Sequence, residues 1–310
     1  MRKSVATAVL GAALLAGIAA MLVHHRHDFA QAIGTVPLAA LLAAVVLHIA
    51  TVVARTEAWV VSVRAAGAVT ERRTLFQIAS LGFAANVISG SIGAAVRIWA
   101  LRRKGGADVP SAPALVAAEV PVVAIQLIVT AVMTCSLSGP LRTPWWTAPA
   151  ILVFAVAVLL VLVRASRRWS GLAALRDARA RWRMAAMVVV VAACETARNL
   201  VLLRAVGLPA STLDAMALLV GAGIVGVLPI GPGSTAGAAM LIFGASGVGP
   251  AAAAGVLLTA TGFAADLAYA GWGLADMLWR ACPKRARHAP RVVDLGAALG
   301  FMAAAAMLVT

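Results

Sequence analysis

The sequence predicts an all-α, polytopic integral membrane protein: about seven spanning helices plus two re-entrant helical hairpins in an inverted repeat. Three observations carry that prediction. Of the 310 residues, 63% are hydrophobic and 12% charged, whereas a soluble domain is roughly half apolar and a quarter charged. Arginine and lysine gather in short segments between long apolar runs, the pattern of the positive-inside rule. Two of the apolar stretches are interrupted midway by small and helix-breaking residues. The formal charge of +15 is therefore a topology signal, and with no basic domain no nucleic-acid partner is expected.

Taken in order, residues 4–23 follow Met1-Arg2-Lys3 and run apolar up to His24-His25-Arg26-His27-Asp28. The run is long for a signal peptide and lacks a small-residue cleavage site, so it is read as a first span. The histidines are read as a hydrated loop, and no metal site is expected. Residues 37–63 form a second span with Arg55 and Glu57 toward one end, where long side chains reach the interface. A first hairpin covers about 74–101, with Asn86 to Gly93 at its break and Arg97 beyond it. Residues 113–135 and 147–163 follow as spans, the former holding Glu119. A basic connector occupies about 164–183, and the next span, 184–203, contains Glu195, Arg198 and Asn199. A second hairpin covers about 213–246, then come a span at 250–279 with Asp266 and a last one at 292–310. The whole chain, 1–310, reads as one transmembrane domain.

The second hairpin has the clearest break. Its two apolar runs are each shorter than the roughly 20 residues a spanning helix needs. Between them, Pro229 and Pro232 remove backbone donors, while Gly231 and Gly233 let the chain turn. Ser234 and Thr235 then stand at N-cap positions, so a half-helix begins at membrane depth with its free N–H groups and positive dipole end aimed at a site. If the N-terminus is cytoplasmic and both hairpins re-enter, about 20 basic residues lie inside. Only Arg26, Arg142 and Arg204 then lie outside. The hairpins also align: Ser91-Ile92-Gly93-Ala94-Ala95 matches Thr235-Ala236-Gly237-Ala238-Ala239, with Trp99 opposite Phe243 and Pro110 near Pro250.

Charged groups within spans usually face a cavity or a partner. Glu195 and Arg198 are three apart on one helix face and can pair. Glu119 and Asp266 lack a local partner and are read as cavity residues, and Arg97 can hold a lipid phosphate through paired hydrogen bonds. Gly244-Ala245-Ser246-Gly247 spells an intramembrane serine-protease motif, but the only histidine after it is His288, in a basic loop. There is no phosphate-binding lysine loop and no pair of cysteines at metal spacing among Cys135, Cys194 and Cys282. An enzyme is not expected, nor a cofactor.

Over about residues 38–279 the chain resembles the transmembrane domain of lysylphosphatidylglycerol synthases, also found alone in flippase-like membrane proteins. That family's pattern has an Asn, a Pro-x-Arg-x-Gly-Glu segment and an Arg. Asn86, Gly93 and Arg97 match, with Ser89, Ser91 and Ala94 at the Pro, Arg and Glu positions. Glu119 matches a Glu-Arg pair whose Arg is Val120 here. The second motif, Leu-Pro-x-x-Pro-Gly-Gly-x-Gly and a Glu, is met by Leu228, Pro229, Pro232 and Gly233. Ser234 and Ala236 replace glycines and Ala239 the Glu. The resemblance implies movement or presentation of an anionic or glycosylated membrane lipid. No soluble aminoacyl-transfer domain follows the last expected span, so aminoacylation is not expected.

The expected function is thus a flippase-like lipid translocator of the inner (plasma) membrane, with the N-terminus cytoplasmic. Substrate would bind at Asn86, Gly93, Arg97, Glu119, Glu195, Arg198, Gly233, Ser234, Thr235 and Asp266. Its phosphate would sit near the half-helix N-termini at Gly93 and Ser234. The alternatives are an accessory subunit presenting lipid to a separate soluble or membrane lipid-modifying enzyme, and a proton-coupled transporter of a small polar solute.

Overall fold

The computed structural model describes residues 24–88, 92–105, 109–135, 147–225 and 233–281. The described residues are helical throughout apart from short connections, with no strand. The helices are α1 (Arg26–Gly34), α2 (Leu38–Ala65), α3 (Arg72–Ile88), α4 (Ile92–Gly105), α5 (Ala112–Cys135), α6 (Thr147–Ala165), α7 (Ala178–Ala205), α8 (Thr212–Val225), α9 (Gly233–Phe243) and α10 (Val248–Ala281). A 3-10 segment, Ser170–Leu175, lies between α6 and α7. This composition leaves the backbone little choice: in an apolar solvent every N–H and C=O must be satisfied within its own segment, and a helix does that.

Among the described residues, α2, α5, α7 and α10 are long and apolar enough to cross a membrane. The chain is a membrane protein built on these four helices. The first and last expected spans, 4–23 and 292–310, lie outside the described residues, as do residues 89–91 and 226–232 of the two expected hairpin breaks, while Asn86 to Ile88 and Ile92 to Gly93 are helical.

Packing separates the chain into two compact units. The described residues of the first fall within 24–51, 127–156 and 192–262; those of the second fall within 52–126, 157–191 and 263–281. The α8–α9 hairpin belongs wholly to the first and the α3–α4 hairpin wholly to the second. In the first unit, Leu202, Leu203, Leu218, Phe243 and Leu258 bury against a floor of alanines that includes Ala251, Ala253 and Ala254. In the second, Trp59, Val63, Leu75, Ile78, Leu101 and Leu115 form the core.

One frame occurs twice. Helices α2 and α7 are both 28 residues long. Both end on an Arg-Ala-x-Gly cap, Arg64-Ala65-Ala66-Gly67 and Arg204-Ala205-Val206-Gly207. Gly67 and Gly207 adopt positive φ, 107° and 84°. Their N–H groups reach Arg64 O and Arg204 O, both at 3.0 Å. The next N–H groups, of Ala68 and Leu208, reach back to Val63 O at 3.2 Å and Leu203 O at 3.1 Å. This is the Schellman closure, which favours glycine because of its left-handed backbone. A short hairpin and a long helix follow each cap. Leu38 and Ala178, Gly67 and Gly207, and Arg72 and Thr212 are each 140 residues apart.

Local chemistry sets the remaining ends. Ser211 and Asp214 form a reciprocal cap at the start of α8, with Ser211 N–H donating to Asp214 Oδ2 at 2.8 Å and Asp214 N–H to Ser211 Oγ at 3.2 Å. Pro121 interrupts α5 and leaves a carbonyl one turn back without its usual donor. One residue beyond that carbonyl, Ala118 O accepts a 2.5 Å bond from the Ser62 hydroxyl on α2. Part of the basic connector packs against α5. Its 3-10 segment buries Leu172 and Leu175, and its backbone lies so close to α5 that a Cβ at Gly171 would strike Ala114 O.

Candidate functional site

The expected site residues fall into two groups, one in each unit. Asn86, Gly93, Arg97, Glu119 and Asp266 belong to the second unit; Glu195, Arg198, Gly233, Ser234 and Thr235 belong to the first. Each group is described within its own unit.

In the second unit the α3–α4 hairpin closes on itself. Gly93 N–H donates to Asn86 Oδ1 at 3.1 Å, so a side chain of α3 caps the first turn of α4. A Cβ on Gly93 would collide with that same Asn86 oxygen and with Gly82 O, and only glycine permits the approach. One turn on, Arg97 Nη2 donates to Glu119 Oε2 on α5 at 3.0 Å. The guanidinium also lies over Trp59 (5.5 Å) and Phe83 (5.9 Å), and Trp59 neighbours the Glu119 carboxylate as well. Arg97 and Glu119 therefore hold each other, although nothing in the local sequence pairs them. Asp266 is half-buried on α10.

Beside this pair a groove of about 790 Å³ runs between α4 and the start of α5. Ala95, Ile98, Val109 and Val116 give it apolar walls, and Arg102 and Arg103 stand at its rim. Trp99 is 59% exposed there, with the Arg103 guanidinium 5.3 Å above its ring. An apolar trough rimmed by two cations and an exposed indole suits an amphiphile with an anionic end.

In the first unit Glu195 and Arg198 do pair, Arg198 Nη1 to Glu195 Oε2 at 3.0 Å, with side chains 9% and 7% exposed. Sequence reasoning missed the third member. His48 on α2 brings Nδ1 within 2.9 Å of Glu195 Oε1 and 2.8 Å of Arg198 Nη1. Arg198 also donates to Leu258 O and, at 3.2 Å, to Thr261 Oγ1 on α10. Next to them Asn199 Nδ2 donates to Ala215 O on α8 at 3.1 Å. A lone histidine in an apolar run gives no sequence signal of such a partnership. The chemistry is nonetheless specific: one ring nitrogen faces a donor and an acceptor and can serve one at a time.

Helix α9 already begins at Gly233, so Ser234 and Thr235 lie inside its first turn and not at the N-cap positions expected for them. The Pro-Gly segment before them lies outside the described residues.

A second surprise is Glu57, read from the sequence as an interfacial side chain. It is 6% exposed and accepts bonds from Arg72 on α3 and Arg183 on α7. Neither partner is near enough in sequence to have been found by helix spacing. Comparison with known proteins brings no match: neither a family model, nor a curated protein, nor a solved structure is similar to the chain.

Proposed function

We propose that this membrane protein handles an anionic or glycosylated lipid in the manner of a flippase, taking it sideways from one leaflet. The observation that carries the reading is the α4–α5 groove, with apolar walls, two arginines at the rim and Trp99 exposed beside them. Acyl chains favour the walls by the hydrophobic effect, and each interfacial cation near an anionic headgroup adds about 1 kcal/mol. Arg97 and Glu119, a short distance along the same helices, form an ion pair that an incoming phosphate can open by competing for the guanidinium.

The same reading has both hairpins re-entering, from opposite faces of the inner membrane, as an inverted repeat with a cytoplasmic N-terminus. Charge supports it. The described helix ends and connections of the second unit are rich in arginine, around 64–73, 102–104 and 164–183, whereas those of the first carry only Arg26 and Arg204. Single cysteines at Arg72 and Lys104 should be labelled only from the cytoplasm, and at Thr212 and Gly247 only from outside. Labelling of one pair from both sides would end the inverted-repeat reading.

Lipid mass spectrometry on protein purified in mild detergent tests the function. Anionic lipid should be enriched over its share in the membrane, and Arg102→Gln with Arg103→Gln should remove most of that enrichment. Arg97→Gln should weaken anionic but not zwitterionic lipid. Co-purified lipid that mirrors the bulk membrane in every variant would refute the proposal.

A second reading, proton-coupled transport of a polar solute, draws on the buried His48–Glu195–Arg198 cluster. It requires a solute flux in proteoliposomes that follows a proton gradient and is lost in His48→Gln.

A further inference from the structure

Glu57 organises more than a salt bridge. Its Oε2 takes two bonds from one guanidinium, Arg72 Nε at 3.1 Å and Nη2 at 2.8 Å, and its Oε1 takes Arg183. Two arginine forks, one from α3 and one from α7, are thereby fixed around one carboxylate on α2. A cavity of about 350 Å³ opens beside them. Its charged lining is Glu57, Arg64, Arg72, Asp177, Arg179 and Arg183, four guanidiniums against two carboxylates. Both forks remain more than half exposed, 57% for Arg72 and 56% for Arg183, while the Glu57 side chain is 8% exposed. The acid is inside, and each arginine keeps a large exposed surface beside its bond to Glu57. Asp177 is already engaged, accepting the Arg179 N–H at 2.9 Å. Arg64 and Arg179 line the same cavity with exposed side chains and form no ion pair among the described residues.

The positive-inside rule explains arginines at this level, but it does not call for a buried carboxylate that fixes their orientation. Arginine forks are planar and match phosphate oxygens two at a time, and holding them in advance removes the ordering cost of binding. A surplus of two positive charges balances a phosphomonoester dianion. The volume lies at the small end of ligand sites, enough for a compact polar group and too little for acyl chains. We infer that the Glu57-centred cavity is a binding site for a phosphomonoester group, carried by a lipid headgroup or by a soluble phosphate compound. It shares no residue with the α4–α5 groove and stands whether or not the groove binds lipid.

The full chain in detergent, probed by thermal shift and by equilibrium titration with inorganic phosphate, tests the soluble source. Co-flotation of reconstituted protein with a fluorescent phosphatidic acid competitor, in phosphatidylcholine against phosphatidylglycerol vesicles, tests the lipid source. Sulfate serves as the control for unspecific anion binding. Saturable binding of either phosphate probe is expected, and Arg64→Gln with Arg179→Gln should weaken it about tenfold or more, with melting temperature unchanged. Glu57→Gln gives the sharper result. It makes the cavity more positive yet releases Arg72 and Arg183, so a preorganised site should lose about tenfold while a mere basic patch should bind more tightly. Phosphate binding that is unchanged in the arginine double variant, or strengthened in folded Glu57→Gln, would overturn the inference. So would equal response to sulfate, or no saturable binding of either probe.

Discussion

In the α3–α4 hairpin, Asn86 takes the Gly93 N–H and Arg97 is held by Glu119, Trp59 and Phe83. In the α8–α9 hairpin the only charged side chain is Asp214, which is spent on the N-terminal cap. There the two helices meet through small residues, Gly221 lying against Ile242 and Ala238. In the first unit the paired charges sit on the long helices, as His48 on α2 and Glu195 with Arg198 on α7, whereas in the second they lie on long helices and hairpin alike, as Glu57 on α2, Glu119 on α5 and Arg97 on α4. Two copies of one frame therefore place their buried charge at different levels of the frame. The matching lengths and glycine caps of α2 and α7 rest on small residues and apolar packing, so the buried charge need not occupy the same level in both copies.

The strongest way to break this comparison is to remove the deepest cation. Arg198→Met should cost about 3–5 kcal/mol, because it removes the buried guanidinium that balances the Glu195 carboxylate. The double change Glu195→Gln with Arg198→Gln should recover much of the loss, as read from melting temperatures in one detergent. A loss no larger than that of a surface arginine would mean the cluster contributes nothing to the frame.

Steric substitution separates the hairpins next. Gly93→Ala drives a methyl into Asn86 and the Gly82 carbonyl and should cost about 1–3 kcal/mol. Gly223→Ala, on the other hairpin, meets nothing within 4 Å and should change stability by under about 0.5 kcal/mol. The two caps should behave alike: Gly67→Ala and Gly207→Ala each force a left-handed residue and should each lose about 1 kcal/mol. Unequal losses would show that the frames are less equivalent than their shared spacing.

The smallest effect belongs to the exposed loop of the second unit. Arg280 donates to both oxygens of Glu71 and holds that carboxyl below its ordinary value of 4.5. A depressed pKa gives stability that is present above the ordinary value and disappears as pH falls through the lowered one. Melting temperature should therefore fall slightly more on acidification in the native chain than in Arg280→Gln. Identical acid profiles would show that the contact contributes nothing.

How much of this was legible in the sequence follows from how local each signal is. The first hairpin is expected at about 74–101 and found at Arg72–Gly105; its flanking arginines join the helices because Glu57 and Asp276 engage Arg72 and Arg73. The second is expected at about 213–246 and closes at Phe243, followed by a 3-10 turn. The Glu195–Arg198 pair was readable from three-residue spacing, but His48 was not, since it arrives from another helix. For the same reason Arg97 and Glu119 read as separate residues, and Glu57 read as an interfacial one. The matching Arg-Ala-x-Gly caps stood in plain view, yet in an alanine-rich chain only their shared backbone geometry gives them meaning.

The fixed interval from the start of α2 or α7 to its glycine cap has a consequence for rotational phase. An α-helix turns about 100° per residue, so length also sets the azimuth at which the chain leaves. With 28 residues in both helices and the glycine at the same place after them, the two glycine caps fall at matching angles relative to the starts of their parent helices. One residue inserted into α2 would lengthen it by only about 1.5 Å but swing the following hairpin more than a quarter turn. With the insertion placed after Glu57, Arg72 would leave Glu57. Single-residue insertions in either helix should thus be far more damaging than most substitutions, and insertions of a whole turn, about 3.6 residues, should be milder.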